Sequence, residues 1–376
     1  MAVVGRPSPR PPIGTTLFIS ALIAKTSLGA TTRELWPFFL VSMIVLALVS
    51  YVPAMTLYRR DGAALPPRPF LTPACRVCGA PPPTARRGRS KETAKMSGTT
   101  AFPNMSLPRR AWEIRRKAVR MGEVQGQGYV GQALGIADVL AVSYFHALNH
   151  RPDDPEWEGR DRFLLSIGHY AIALYAALIE AGILPEAELE TYGGDDSRLP
   201  MSGMAAYTPG MEITGGSLGQ GLGIGVGMAL GLRAKGSPAF VYNLMSDGEL
   251  GEGSTWEAAM SAAHHKLGNL ICIVDFNDQQ ADGKSTEMLC AEPLHDKWAA
   301  FGWHVQRVDG NDIPALVAAF DAARNLAEAR PRVIICDTVM CKGVPFLEAR
   351  EITHFVRVEA DEWQKALAVL DATKPE

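Results

Sequence analysis

Acidic residues are nearly missing from the first quarter of this 376-residue chain: positions 1–95 hold three Asp/Glu against 13 Lys/Arg. Charge of either sign is absent from Leu35 to Tyr58. Cysteine is sparse, six in all and scattered. The lone Cys75-Arg-Val-Cys78 lacks the two further ligands that a structural zinc site requires nearby, so it is read as an accidental pair rather than a site. Cys272 and Cys336 lie in apolar, strand-like runs and are expected as reduced, buried thiols. The uncharged stretch is long enough to span a bilayer, and the many Arg/Lys after it would leave the carboxyl side in the cytoplasm. It begins too far into the chain for a cleaved signal peptide. No internal repeat runs through 96–376.

The net charge of −3 conceals an asymmetry, because residues 96–376 carry 24 Lys/Arg against 37 Asp/Glu. An acidic balance of this kind argues against a nucleic-acid partner. Half of the 26 prolines also precede residue 96. The chain therefore divides into a basic, Pro-rich leader, 1–95, and an acidic domain, 96–376, long enough to bury a large core.

In that domain apolar rhythm predicts helices at about 109–126, from Gly135 towards Ala147, 170–182, 217–235, 256–267, 297–301, 315–329 and 361–370. Strands are predicted at Arg162–Ser166, Phe240–Met245, Leu270–Val274, Trp303–Val308 and Arg332–Thr338. Regular alternation of the two gives an α/β class, a parallel sheet with helices on both faces.

One constellation carries chemistry. Ser246-Asp247-Gly248-Glu249-Leu250 ends one apolar run, and Asp275-Phe276-Asn277 ends the next. Two oxygen ligands at the carboxyl ends of adjacent parallel strands suit a hard divalent cation, usually Mg²⁺, that still holds a diphosphate. The flanking text, Asp247-Gly-Glu-Leu-Gly-Glu-Gly-Ser-Thr-Trp-Glu-Ala and Asp275-Phe-Asn-Asp-Gln-Gln-Ala-Asp-Gly, closely resembles the diphosphate-binding motif of transketolases, above all the separate amino-terminal subunit of split ones. Asp161 to His169, Thr208 to Gly221, Asp296 to Gly310 and Cys341 to Phe346 extend the resemblance over almost all of 109–371.

The resemblance implies the diphosphate domain of a thiamine diphosphate-binding fold. It implies a Mg²⁺-dependent transferase of the transketolase type, moving a two-carbon ketol or acyl unit between small carbonyl compounds. Asp247 and Asn277 are then the metal's side-chain ligands, and the carbonyl of Gln279 supplies a third oxygen. Gly248 lets the backbone approach the diphosphate, while Gly168, Gly216, Leu218, Ser246 and Glu249 complete the cofactor contacts. His169 and His354 fall where the family has histidines near the reacting carbonyl. Glu252 falls at a Glu of an intersubunit carboxylate network; as a bare helix-start residue it would equally suit the helix dipole. The sequence ends at Glu376 before any pyrimidine-binding domain, so the resemblance implies that domain, with its activating Glu, on a carboxy-terminal partner subunit in a heterotetramer.

Two departures bear on substrate. Ketose-using transketolases carry Gly-His-Pro where this chain has Gly128-Tyr129-Val130, and again where Arg198-Leu-Pro200 runs into Met201. Tyr129 and Met201 thus replace donor-facing histidines, and the donor is expected to have fewer or differently placed hydroxyls. The α subunit of a 2-oxo acid dehydrogenase is the enzyme alternative, disfavoured by Trp256-Glu-Ala, Leu218-Gly-Gln-Gly221 and Phe301-Gly-Trp-His304. Residues 18–55 resemble the end of a TRAP transporter large membrane subunit. The leader is accordingly read as a gene-start artefact, with Met96 the expected start and a cytoplasmic domain. The alternatives are a genuine anchor through 35–58 and a non-catalytic, membrane-tethered partner.

Overall fold

The computed structural model describes residues 105–289 and 291–376, with Leu40, Val41 and Ile44. Apart from those three residues, the expected span at 35–58 and the Cys75/Cys78 pair lie outside the described residues. The chain divides into Met1–Glu92 and Thr93–Glu376, and the second unit carries the sheet.

Five strands, β1 (Arg162–Leu165), β2 (Val241–Ser246), β3 (Leu270–Phe276), β4 (His304–Asp309) and β5 (Arg332–Asp337), form one parallel sheet in the order β1-β2-β3-β5-β4. Register sets Leu165 beside Leu244, Ser246 beside Asp275 and Phe276 beside Asp337. The carboxyl ends of the three strands that carry the motifs therefore lie together. Side chains alternate along each strand, so Phe163, Tyr242, Ile271 and Ile334 pack on one face and Leu164, Val241, Cys272 and Val333 on the other. The first face is covered by α1 (Leu107–Gln125), α2 (Val130–Val142), α3 (Ala171–Glu180), α8 (Ile313–Asn325) and α10 (Glu362–Ala372). The second is covered by α4 (Gln220–Ala234), α5 (Gly253–His264) and α7 (Leu294–Ala300). Burial on both sides explains why the strands read as continuous apolar runs. The α/β, two-faced parallel sheet is the expected class. Cys272 and Cys336 are free and fully buried, and burial pushes both thiols up. Two short helices, α6 (Ser285–Met288) and α9 (Pro345–Glu348), lie in the connections.

Helix α2 departs from expectation. It starts at Val130 rather than Gly135 and is buried along its whole length. Gly131 looks like a breaker in the sequence, yet a Cβ there would stand 2.5 Å from the Thr353 carbonyl. Close approach of another segment, not helix propensity, selects glycine at this position. With its following π-helical turn, Val130–Ala147 is apolar and long enough to cross a membrane, but 89% of that window is buried in the domain, as in a core helix.

Helix α4 offers a test of this packing. A Cβ on Gly221 would run into the Ser166 side chain, whereas Gly223, two positions on, faces open space. Gly221→Ala should lower stability by about 1–3 kcal/mol through overpacking. Gly223→Ala should raise it by about 0.5–1 kcal/mol through helix propensity. Thermal melting of the two variants checks the opposite signs.

Candidate functional site

The turns that leave β1, β2 and β3 converge on two buried carboxylates. Glu249 was expected among the cofactor contacts, but its side chain is fully buried and points inward. It accepts hydrogen bonds from the Ser166 hydroxyl at 2.5 Å and from the backbone N–H groups of Gly219 at 2.8 Å and Ser246 at 3.2 Å. The Ser166 hydroxyl in turn accepts from the Gly221 N–H at 3.1 Å. Glu249 is thus a brace joining the ends of β1 and β2 to the start of α4, and its burial holds its carboxyl above the usual range. Gly168 and Gly216 are likewise spent on each other: a Cβ on Gly168 would lie 2.8 Å from the Gly216 Cα. Leu218 packs half-buried against the first core face. Around Gly248, by contrast, the nearest atoms to a Cβ are 3.7 Å away, and Ser246 fits beside it without crowding.

The second carboxylate, Asp275, had no assigned role. Its oxygens accept from the Tyr170 hydroxyl at 2.7 Å, the Asn277 amide at 2.7 Å and the Thr338 hydroxyl at 2.5 Å. Tyr170 and Asp275 together fix which way the Asn277 amide faces, because its nitrogen donates to both and its oxygen is left for other partners. That oxygen accepts the Gln279 N–H at 3.0 Å. Only the pairing Asp275-x-Asn277 in the sequence hinted at this arrangement.

Asp247 follows β2 and meets the same loop. Its N–H donates to the Asp275 carbonyl at 3.0 Å, and its carboxylate accepts from Gly248 N and Asp278 N, each at 2.8 Å. Asp278 takes a left-handed φ of 55° to present that N–H. Asp247 is buried, and its carboxyl is pushed up to about 7, first by burial and second by Asp275. No Lys, Arg or His is among the groups that act on it. Two adjacent buried carboxylates without a cation fit a divalent ion, which supplies the compensating charge. Asp247, the Asn277 oxygen and the Gln279 carbonyl could hold it. Among the described residues no group of three or more His, Cys, Asp or Glu competes as a metal cluster.

Beside this loop sits an aromatic pocket. Tyr129 lies 4.6 Å from His169 and 5.8 Å from His354 between ring centroids, and the two imidazoles are 5.4 Å apart. Phe355 closes one side, 4.9 Å from Tyr129. Burial, then His354, lowers His169 to about 4, and its Nε2 has no hydrogen-bond partner among the described residues. Burial also lowers His354, opposed by the Gln279 backbone and Asp282. Both rings are therefore neutral near pH 7, able to donate or accept one bond each. Met201 packs half-buried against the first core face in the loop that folds over Gly168, where Gly203 N donates to the Gly168 carbonyl at 3.1 Å. Glu252 sits at the N-cap of α5, exposed and making no cap hydrogen bond. His264 and His265 are exposed at the far end of α5, away from this cluster.

A family profile described as "Transketolase, thiamine diphosphate binding domain" matches residues 109–372. The chain belongs to the transketolase family. A transketolase family protein of Sinorhizobium fredii is 74% identical over 269 residues, covering 72% of this chain and 96% of that protein. The 6-deoxy-6-sulfo-D-fructose transketolase subunit SqwG of a Clostridium species is 39% identical, covering 71% and 97%. A subunit of the apulose-4-phosphate transketolase of Actinobacillus succinogenes is 40% identical, covering 70% and 95%. Among solved structures, transketolase from Leishmania mexicana superposes with a TM-score of 0.66 at 30% identity, over 72% of this chain and 41% of that one. The chain thus spans about two-fifths of that solved transketolase and nearly the whole of the separate subunits. Residues 7–55 match a different family, the DctM component of a tripartite ATP-independent periplasmic transporter. The domain at 109–372 is a transketolase-type thiamine diphosphate-binding domain.

A transketolase domain built this way should show a metal-linked pH dependence. A carboxyl raised to about 7 contributes stability that is full below its unfolded value of 3.8 and lost as pH rises through about 7. Without divalent cation the melting temperature should therefore fall as pH rises from about 4 to about 7 and level off above that. Added Mg²⁺ should abolish that slope, and Asp247→Asn should remove it without Mg²⁺. A slope of the same size in Asp247→Asn would show that another group is titrating.

Proposed function

We propose that this chain is the diphosphate-binding subunit of a split transketolase that takes its two-carbon unit from a modified sugar. The observation that carries the reading is the pocket in which Tyr129 stands against both His169 and His354. When bound, thiamine diphosphate supplies a carbanion-stabilising centre. The chain's own residues do the rest. Asp247, Asn277 and the Gln279 carbonyl would hold Mg²⁺, and Gly248, which has no Cβ, would let the diphosphate approach the backbone. His169 and His354, neutral and largely shielded from water, offer hydrogen bonds to the donor's oxygens. The Tyr129 hydroxyl replaces one family histidine and thioether-bearing Met201 replaces the other. Losing two buried hydrogen bonds of about 1–3 kcal/mol each weakens an ordinary ketose donor by roughly 10²–10⁴-fold. Two relatives are named for 6-deoxy-6-sulfo-D-fructose and apulose 4-phosphate, which supports a modified sugar over pyruvate or hydroxypyruvate.

The same relatives are named as subunits. A carboxy-terminal subunit bearing the pyrimidine domain and the activating Glu would complete the site, with two copies of each chain in a heterotetramer. Glu252 would join the intersubunit carboxylate network, a role its exposure supports. The family match stands against a 2-oxo acid dehydrogenase α subunit and against a non-catalytic partner.

Co-purification with the product of the adjacent gene gives the enzyme to assay. Asp247→Ala and Asn277→Ala should each abolish Mg²⁺-dependent cofactor binding by calorimetry while the fold persists. The two modified sugars should exceed xylulose 5-phosphate in kcat/KM by about 10²-fold or more. Efficient xylulose 5-phosphate turnover, unaltered in Tyr129→Phe, defeats the donor assignment.

The leader is proposed to be dispensable, and the domain to work in the cytoplasm. A chain starting at Met96 should be soluble, assemble with its partner and retain full activity. Loss of assembly on truncation, with the full chain competent in membranes, would make the leader a genuine anchor.

A further inference from the structure

Gln132 takes no part in the chemistry above, yet it is among the most buried polar side chains of the domain, 1% exposed on the first turn of α2. Its Nε2 donates to the main-chain carbonyl of His354 at 2.5 Å. Its Oε1 is buried with no hydrogen-bond partner among the described residues. An amide desolvated with half its capacity unmet is costly to fold, and an apolar residue of the same length would avoid that cost. The segment it reaches, 351–360, belongs to no helix or strand. Side chains secure it: Gln132 at the His354 carbonyl and Arg350 at the Arg357 carbonyl. The contact has no slack, because a Cβ on neighbouring Gly131 would meet the Thr353 carbonyl at 2.5 Å and Cys341 N donates to the Gly131 carbonyl at 2.8 Å. Tyr129, the N-cap of the same helix, stands 5.8 Å from the His354 ring.

We propose that Gln132 is a positioning residue: by holding the His354 carbonyl it sets the His354 ring against Tyr129 and His169, and so fixes the donor end of the pocket. One helix turn then carries both the residue that replaces a family histidine and the clamp that places His354, one of the two that remain. A side chain on a loop without secondary structure keeps catalytic precision only if its backbone is tied to a rigid element, and α2 is the buried element within reach. The proposal rests on the functional reading for the meaning of the pocket, and on geometry alone for the tether.

Two readouts separate those layers. Hydrogen exchange on the full chain should show peptides across 351–360 exchanging several-fold faster in Gln132→Met, with β2 and β3 unchanged. On the assembled pair, kcat/KM for the donor should fall about ten-fold or more while thiamine diphosphate affinity stays within roughly two-fold. Gln132→Glu, of the same shape but presenting oxygens to the carbonyl, should fall at least as far. Unchanged exchange at 351–360 in both variants overturns the tether. Faster exchange with unchanged kcat/KM overturns the positioning role, and so does exchange raised across the whole domain. If the wild-type pair turns over none of the donors, the functional reading fails, and local exchange still decides the tether.

Discussion

Burial of two carboxylates at the carboxyl edge of a parallel sheet is the constraint on which the rest of this site depends. Neither Glu249 nor Asp275 has solvent to stabilise its charge, so each must collect donors from whatever lies nearby. Glu249 collects them from Ser166, Gly219 and Ser246 and thereby locks three turns together. Asp275 collects them from Tyr170, Asn277 and Thr338 and thereby aims the Asn277 amide. Both groups spend their oxygens on partners within the domain.

Asp247 is the exception that makes the edge functional. Its donors come from two backbone amides of the adjoining loops, which leaves lone pairs available and a charge only partly offset. A carboxylate held at about 7 by burial and a like-charged neighbour becomes an ordinary anion once a divalent cation is beside it. A divalent cation bound there would relieve an electrostatic cost that folding left in place. The aromatic pocket next to it follows another logic. There burial keeps two histidines neutral beside an aromatic ring.

How much of this could be read in advance depends on the range of the interaction. Strand runs such as Leu270–Val274 and the Asp247…Asn277 spacing are local patterns. They specified the parallel class and the family, and they did so because a strand buried on both faces must be apolar and must end where its polar residues begin. Cysteine burial at 272 and 336 followed from the same runs. The start of α2 was misplaced because glycine at 131 and 135 obeys contacts with the 339–354 region, more than two hundred residues away, and no local propensity records such a contact.

Glu249 shows the same division on a single residue. Its place in the motif pointed to the cofactor, while the direction of its side chain followed from Ser166 and Gly219, brought near only when β1 and β2 pair. Asp275, Tyr170 and Thr338 sit on different segments, and their meeting needed the full sheet order. By itself the sequence determined most of the elements, the family and the candidate ligands, since those rest on residue type and short spacing. Tertiary structure alone decided which carboxylates brace, which one is left with few donors, and which buried amide meets the His354 carbonyl. Desolvation and hydrogen-bond satisfaction exist only once distant segments have packed together.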